Sequence, residues 1–179
     1  MTPLARVSER SLPERPLVDE AKDGSQGAFA TLYQQYTRLV HGILLARVPQ
    51  SEVEDLVQEV FLLAWRRLKS LRDTNAFGSW IAMIARNQAI DYYRKAVQTT
   101  ELGEAMLKQQ APDPAALAVL DTIRAMPEAY RETLVLRLVE GMTGPEIAIQ
   151  TGLTPDSVRV NLHRGMKILR EKLEGSATR

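Results

Sequence analysis

Apolar positions recur along most of this chain at three- and four-residue intervals, the spacing of one helix face, and no alternating strand pattern competes with it. "LVDEAKDG" predicts a short helix ended by Gly24. "SQGAFATLYQQYTRLVHGILLARV" predicts a longer one, with Phe29, Leu32, Tyr36, Leu39, Val40 and Ile43 on one side and Pro49 as its stop. "SEVEDLVQEVFLLAWRRLKSL" opens on Ser51 and Glu54, the spacing of a capping box, and closes on Arg66, Arg67 and Lys69, which suit a helix C-terminus. "RDTN" reads as a loop. "AFGSWIAMIARNQAIDYYRKAV" follows as a helix, with Thr74 or Asn75 as its cap.

Periodicity then fails in "QTTELGEAMLKQQAPDP", which carries Glu101, Glu104 and Asp113 against the single Lys108 and reads as an interdomain linker. Beyond it, Asp113-Pro114 opens a helix to about Met126, and "PEAYRETLVLRLVEG" makes another, closed by Gly141. "TGPEIAIQTG" is a short helix with a Thr143/Glu146 capping box and Gly152 as its C-terminal stop. In "TPDSVRVNLHRGMKILREKL", Thr154 is the N-cap and Pro155 the first helical residue. The expected fold is all-α: two small helical domains joined by a flexible linker, the C-terminal one a helix-turn-helix. The expected limits are an N-terminal arm over 1–17, a first domain over 18–97, a linker over 98–113 and a second domain over 114–179.

Composition narrows the function. The 179 residues are 45% hydrophobic, only 6% aromatic and carry a net charge of +1, so any electrostatic argument must be local. The absence of cysteine excludes a disulfide scaffold, a thiol nucleophile and Cys-ligated metal. No apolar run approaches the ~20 residues of a membrane span, and "MTPLARVSERSLPERP" lacks a signal-peptide core, so a cytoplasmic protein without membrane insertion is expected. His41 and His163 lie in different predicted domains, and neither a Glu-x-x-His pair nor a phosphate-binding loop occurs; no catalytic residue, metal or cofactor is expected.

Three helical faces carry candidate chemistry. In the last helix, Val158, Leu162, Gly165, Met166, Leu169 and Leu173 share an arc, and Arg159, Val160, His163, Arg164, Lys167 and Arg170 share the opposite one. From Gly152 to Lys172 five basic residues stand against two acids. A basic stripe alone is equally a solvated face. Its place on the second helix of a helix-turn-helix favours the major groove, where Val160 could meet a thymine methyl. Arg159, His163 and Arg164 are placed for base edges, and Lys167 and Arg170 for phosphates.

In the Ser51–Leu71 segment, Val53, Leu56, Val57, Val60, Phe61, Ala64 and Leu68 form the inner face. Leu62 sits opposite, among Asp55, Gln58, Glu59, Arg66 and Lys69. That is the anatomy of an interface, although single exposed leucines also occur without function. The Phe77–Val97 segment turns Phe77, Trp80, Ile81 and Ile84 inward. Met83, Arg86, Asn87, Ile90, Tyr93 and Arg94 lie outward, a mixture suited either to single-stranded nucleic acid or to a partner helix.

"DLVQEVFLLAWRRL…FGSWIAMIARNQAIDYYRK" resembles region 2 of the bacterial σ70 family, and "MPEAYRETLVLRLVEGMTGPEIAIQTGLTPDSVRVNLHRGMKILREKL" resembles region 4. Two such blocks with a short linker resemble the extracytoplasmic-function (ECF) group; the resemblance spans roughly 20–97 and 114–173. It implies a transcription initiation factor that binds core RNA polymerase through the β′ clamp helices and the β subunit, and promoter DNA through −10 and −35 elements. By resemblance, Asp55, Gln58, Glu59 and Leu62 dock on the clamp. Ser70, Leu71, Arg72, Asp73, Thr74, Asn75 and Ala76, with Asn87, would capture a flipped base of the −10 element; Arg86 and Arg94 would hold the nontemplate strand. Arg159, Val160, His163, Arg164 and Lys167 would read the −35 element. The linker would thread toward the polymerase cleft, and an anti-sigma factor is a further implied partner. The helix from Phe77 lacks the paired tryptophans of housekeeping factors, and the N-terminal arm has no counterpart in the pattern. The competing reading is a helix-turn-helix regulator that acts without polymerase.

Overall fold

The computed structural model describes residues 14–99 and 114–177, and among these there is no strand. The chain forms α1 (Glu14–Lys22), α2 (Gln26–Leu45), α3 (Gln50–Arg67), α4 (Phe77–Thr99), α5 (Pro114–Arg124), α6 (Glu128–Leu138), α7 (Gly144–Thr151) and α8 (Pro155–Ala177). Short 3-10 turns at Leu68–Ser70 and Thr74–Ala76 join α3 to α4. Helix starts at Glu14 and α4 runs to Thr99, so both ends of the first helical unit lie outside the expected 18–97. The expected linker beyond Thr99, with its acidic residues, lies outside the described residues.

Helices α1 to α4 pack around one apolar core. Every position of the predicted inner face of α3 (Val53, Leu56, Val57, Val60, Phe61, Ala64, Leu68) is buried. Phe29 packs edge-on against Phe61 and Trp65, and Phe77 against Tyr36. The expected Ser51/Glu54 capping box is absent. Helix α3 begins one residue earlier, at Gln50 after Pro49, with no side-chain cap. Ser51 therefore lies inside the first turn, where its hydroxyl donates to Glu52 Oε1 at 3.1 Å. The cap before α4 is Asp73, not Thr74 or Asn75, because a 3-10 turn intervenes and Asp73 Oδ1 accepts from the Asn75 amide at 3.0 Å.

In the second unit the Thr143/Glu146 capping box forms at both ends: Thr143 Oγ1 accepts from the Glu146 amide, and Glu146 Oε2 accepts from the Thr143 amide at 2.7 Å. Those hydrogen bonds, the Thr143 backbone first, hold the Glu146 carboxyl below its ordinary pKa. Gly152 ends α7 with φ +75°, a left-handed conformation that side chains disfavour. Thr154 Oγ1 accepts from the Ser157 amide at 3.1 Å and starts α8.

The two units pack on one another, which the hydrophobic pattern does not predict. In α6, Leu134, Val135 and Leu136 are all fully buried. Consecutive helical residues point about 100° apart, so this helix is covered on several sides. Leu134 meets α8 at Gly165, and Leu136 meets α2 at Gly42. Arg124 of α5 donates to the carbonyls of Leu45 (3.0 Å) and Val48 (2.8 Å), satisfying the end of α2, whose own last turn has no basic residue. Arg38 of α2 donates to the Glu140 carbonyl. His41 Nδ1 lies 2.6 Å from Glu140 Oε1, with Glu54 at 3.6 Å on its other nitrogen. The Glu140 hydrogen bond raises the His41 pKa; burial opposes it, and the charges of Glu140 and Glu54 add to it.

Two predictions follow from these contacts. Thr143→Ala removes the cap and costs about 1 kcal/mol in urea unfolding with helical circular dichroism as the signal. His41, raised in the folded chain, contributes stability that is complete below its unfolded pKa near 6.5 and is lost as pH rises through the folded value. The melting-temperature difference between wild type and His41→Asn is therefore largest near pH 6 and shrinks toward pH 9; a difference independent of pH contradicts the assignment.

Candidate polymerase and nucleic-acid interfaces

The first surface is the outer side of α3. With its inner positions committed to the core, the helix turns Asp55, Gln58, Glu59 and Leu62 to solvent, and Leu62 is 56% exposed. Beside it a groove of about 420 Å³ runs between α2 and α3, lined by Gln26, Phe29, Tyr33, Gln58, Phe61, Leu62 and Trp65. Its apolar floor is flanked by the Gln26 and Gln58 amides, and the same helix exposes Asp55 and Glu59; an amphipathic helix that brings apolar and basic side chains suits this face.

The second surface is the loop between α3 and α4 with the outer face of α4. Ser70, Arg72, Asp73 and Asn75 are exposed and Ala76 is partly so. Asp73 Oδ1 also accepts from Asn75 Nδ2 at 3.0 Å, which orients that amide. Leu71 and Thr74, expected among the base-capturing residues, are buried. They anchor the loop: Leu71 sits on the core and its carbonyl accepts from Lys22 Nζ at 2.8 Å. On α4, Asn87 and Arg94 are exposed, with Arg94 paired to Asp91 at 2.6 Å. Met83, Ile90 and Tyr93 are exposed beside them. The face thus offers cations, an amide and apolar or aromatic surfaces together, as an unstacked strand requires.

Arg86 is the exception. It is only partly exposed, and it donates to Glu132 of α6 from Nη2 (2.7 Å) and Nε (3.1 Å). That hydrogen bond, outweighing burial, raises the already high pKa of its guanidinium. Glu132 is also gripped by Arg47 Nη2 at 2.7 Å, and the same nitrogen reaches Glu128 at 2.6 Å. The Arg47 hydrogen bond lowers the pKa of Glu128. The side chains of Arg47 and Glu132 are each only 8% exposed.

The third surface is the outer face of α8. Arg159, Val160, His163, Arg164, Lys167 and Arg170 are exposed together, while Val158, Gly165 and Leu169 are buried. Met166 and Leu173, expected inward, are each 37% exposed, although Leu169 between them is buried. Arg159 Nη2 lies 2.8 Å from Asp156, a contact between two exposed side chains that leaves the guanidinium accessible. Ala148 is buried where α7 crosses α8, and Gly152 makes the turn between them.

The pattern missed Arg47, Glu128, Glu132, Arg124 and Gly42, all at the seam between the two units. The available signal was Glu132 itself, an acid two residues before the apolar run Leu134–Leu136, and Gly42 in the interior of a long helix. Among the described residues, no group of acidic or histidine side chains is arranged to hold a metal ion, and no helix is long and apolar enough to cross a membrane.

Comparison with known proteins identifies the two helical units. Residues 32–99 match the family described as Sigma-70 region 2, and residues 116–169 match Sigma-70, region 4. The chain is 29% identical to the ECF RNA polymerase sigma factor BldN of Streptomyces coelicolor over 90% of its own length and 66% of that protein's, so it spans about two thirds of that relative. It is 29% identical to the ECF RNA polymerase sigma-E factor of Escherichia coli over 91% of its own length and 95% of that protein's. Its fold is similar to that of CnrH in complex with the cytosolic domain of CnrY, with a TM-score of 0.63 and 27% identity over 92% of this chain and 99% of that one. The fold is also shared, at 19% identity and a TM-score of 0.53 over 80% of this chain and 94% of that one, by the sigma factor RpoE in complex with the anti-sigma factor NepR from Bartonella quintana. Carrying region 2 and region 4 in that order on one chain, with ECF sigma factors as relatives along nine tenths of its length, the protein belongs to the σ70 family of RNA polymerase sigma factors, in the extracytoplasmic-function group.

Proposed function

We propose that this chain is a cytoplasmic transcription initiation factor, not an enzyme, that binds core RNA polymerase and directs it to promoters with −10 and −35 elements. The observation that carries the reading is the division of labour on α3. Its apolar positions are spent on the core except Leu62, which stands exposed amid Asp55, Gln58 and Glu59. These four residues dock on the β′ clamp helices, and the groove toward Phe29 and Trp65 extends the docking site.

The −10 element is held by Ser70, Arg72, Asp73, Asn75, Ala76 and Asn87 around a flipped base, with Arg86 and Arg94 on the strand. Extruding a base costs a few kcal/mol of unstacking, which a preformed loop offsets. The loop is preformed here because Leu71, Thr74 and the Asp73 cap fix its backbone. The −35 element is read in the major groove by Arg159, Val160, His163 and Arg164, with Lys167 and Arg170 on phosphates. The region 2 unit ends with α4 and the region 4 unit begins with α5. The second class of partner is an anti-sigma factor, which would cover the clamp-docking and DNA surfaces.

Gln58→Ala combined with Leu62→Ala lowers affinity for core polymerase by about tenfold or more while melting temperature stays unchanged, since both side chains are exposed. Normal holoenzyme formation in a gel-filtration or fluorescence assay contradicts the docking surface. Arg164→Ala in holoenzyme loses ~1–3 kcal/mol of −35 discrimination in run-off transcription, the value of one bidentate base contact. Unchanged promoter preference removes Arg164 from the reading set.

A further inference from the structure

A loop that captures a base needs a backbone held in one place, and the extended residues Leu71–Asp73 lie between two 3-10 turns rather than within either. Resting on the assignment of that loop to the −10 element, we infer that Lys22 is a positioning residue for −10 recognition: its ammonium ties the Leu71 carbonyl to the end of α1 and so sets where Arg72, Asp73 and Asn75 meet the extruded base. Helix α1 carries none of the residues assigned to polymerase or DNA.

The connection between α3 and α4 bonds largely to itself. The Leu71 amide donates to the Leu68 carbonyl at 3.1 Å, and the Ala76 amide to the Asp73 carbonyl at 3.1 Å. Ser70 Oγ donates to the Arg67 carbonyl at 2.6 Å. Each of these bonds shapes one turn, and none of them reaches beyond the α3–α4 connection. The Lys22 bond does: it joins Nζ to the Leu71 carbonyl at 2.8 Å across 49 residues of sequence. Its donor is charged, so it is stronger than the neutral bonds around it. Leu71 is thereby held twice, by its side chain in the core and by its carbonyl on Lys22, and the exposed Arg72 and Asp73 follow directly from it.

Lys22 serves as a brace because α1 is itself fixed. Leu17, Val18 and Ala21 are buried on the core. Gly24, at φ +98°, turns the chain back so that α1 packs on α2 and against both 3-10 turns. Lys22 is the last residue of α1, where the negative end of the helix favours a cation. The ammonium is therefore in place before DNA arrives. Unstacking a base already costs free energy, and a loop that had to be ordered at the same moment would add to that cost. Without the brace the outward side chains keep their chemistry but lose their common position. Discrimination among −10 sequences then falls, while binding driven by charge remains.

The test is run-off transcription by holoenzyme from a promoter library randomised over the −10 region. It compares the wild-type chain with Lys22→Met, Lys22→Arg and the loop variant Arg72→Ala with Asn75→Ala. Lys22→Met keeps the aliphatic stem and removes the donor. It lowers preference for the favoured −10 sequences about tenfold, the worth of one hydrogen bond from a charged group, while helical circular dichroism and core-polymerase affinity stay at wild type. Lys22→Arg keeps a charged donor and restores the preference. The salt dependence of promoter binding is the same in Lys22→Met as in wild type, because the ammonium is spent on a carbonyl and not on a phosphate. An unchanged preference in Lys22→Met, or a loss that Lys22→Arg does not restore, overturns the positioning role. So does a loss spread evenly over all −10 sequences with a shallower salt slope, which marks Lys22 as a phosphate contact. If Lys22→Met loses helicity, Lys22→Ala decides in its place. The loop variant separates the two claims. Lost preference in the loop variant with none lost in Lys22→Met overturns the brace alone; no loss in either overturns the loop assignment and the brace with it.

Discussion

A carboxylate buried between two guanidiniums governs how this chain is arranged. Removing an ion from water costs several kcal/mol, and a buried pair repays that only with good geometry and satisfied hydrogen bonds. Glu132 meets the condition through Arg47 and Arg86, which come from the α2–α3 junction and from α4, while Glu132 itself comes from α6. The two units must therefore dock for these charges to be compensated. Stripping one partner from a buried pair costs roughly 3–5 kcal/mol, but separation that admits water lets all three ions hydrate again. The seam is thus intolerant of imperfect docking yet able to open as a whole.

Helix α6 transmits this constraint. Leu134 faces α8 and supports the helix-turn-helix, while Leu136 faces α2 across Gly42. One short helix serves the core of its own unit and the contact with the other. Arg124 and the His41–Glu140 pair reinforce the same seam from its two ends. In contrast, the outer faces of α3 and α8 stay exposed while the two units are docked, so the proposed docking groove and the basic face of α8 are both accessible.

Much of this was legible in the linear pattern, for a physical reason. Where a helix has one buried face, period alone assigns it: every inner position of α3 is buried, Leu62 is exposed, and the Thr143/Glu146 box and Gly152 turn form as their chemistry requires. Errors arose where more than one partner decides the outcome. Pro49 moved the start of α3 and left Ser51 inside the helix. The linear pattern groups Leu71 and Thr74 with their loop, although both side chains are buried. The seam was illegible because its ion pairs join residues such as Arg86 and Glu132, far apart in the chain and on helices whose inner faces already had partners. An acid two residues before a run of three apolar residues, and a glycine inside a long helix, are the traces this contact leaves in sequence.

The most decisive measurement is run-off transcription from a promoter library randomised over both upstream regions, using core polymerase with and without the purified chain. The account predicts that transcripts dependent on the chain enrich two sequence blocks at a fixed separation, one near −35 and one near −10. Enrichment of a single block, or no dependence on the added chain, would contradict it.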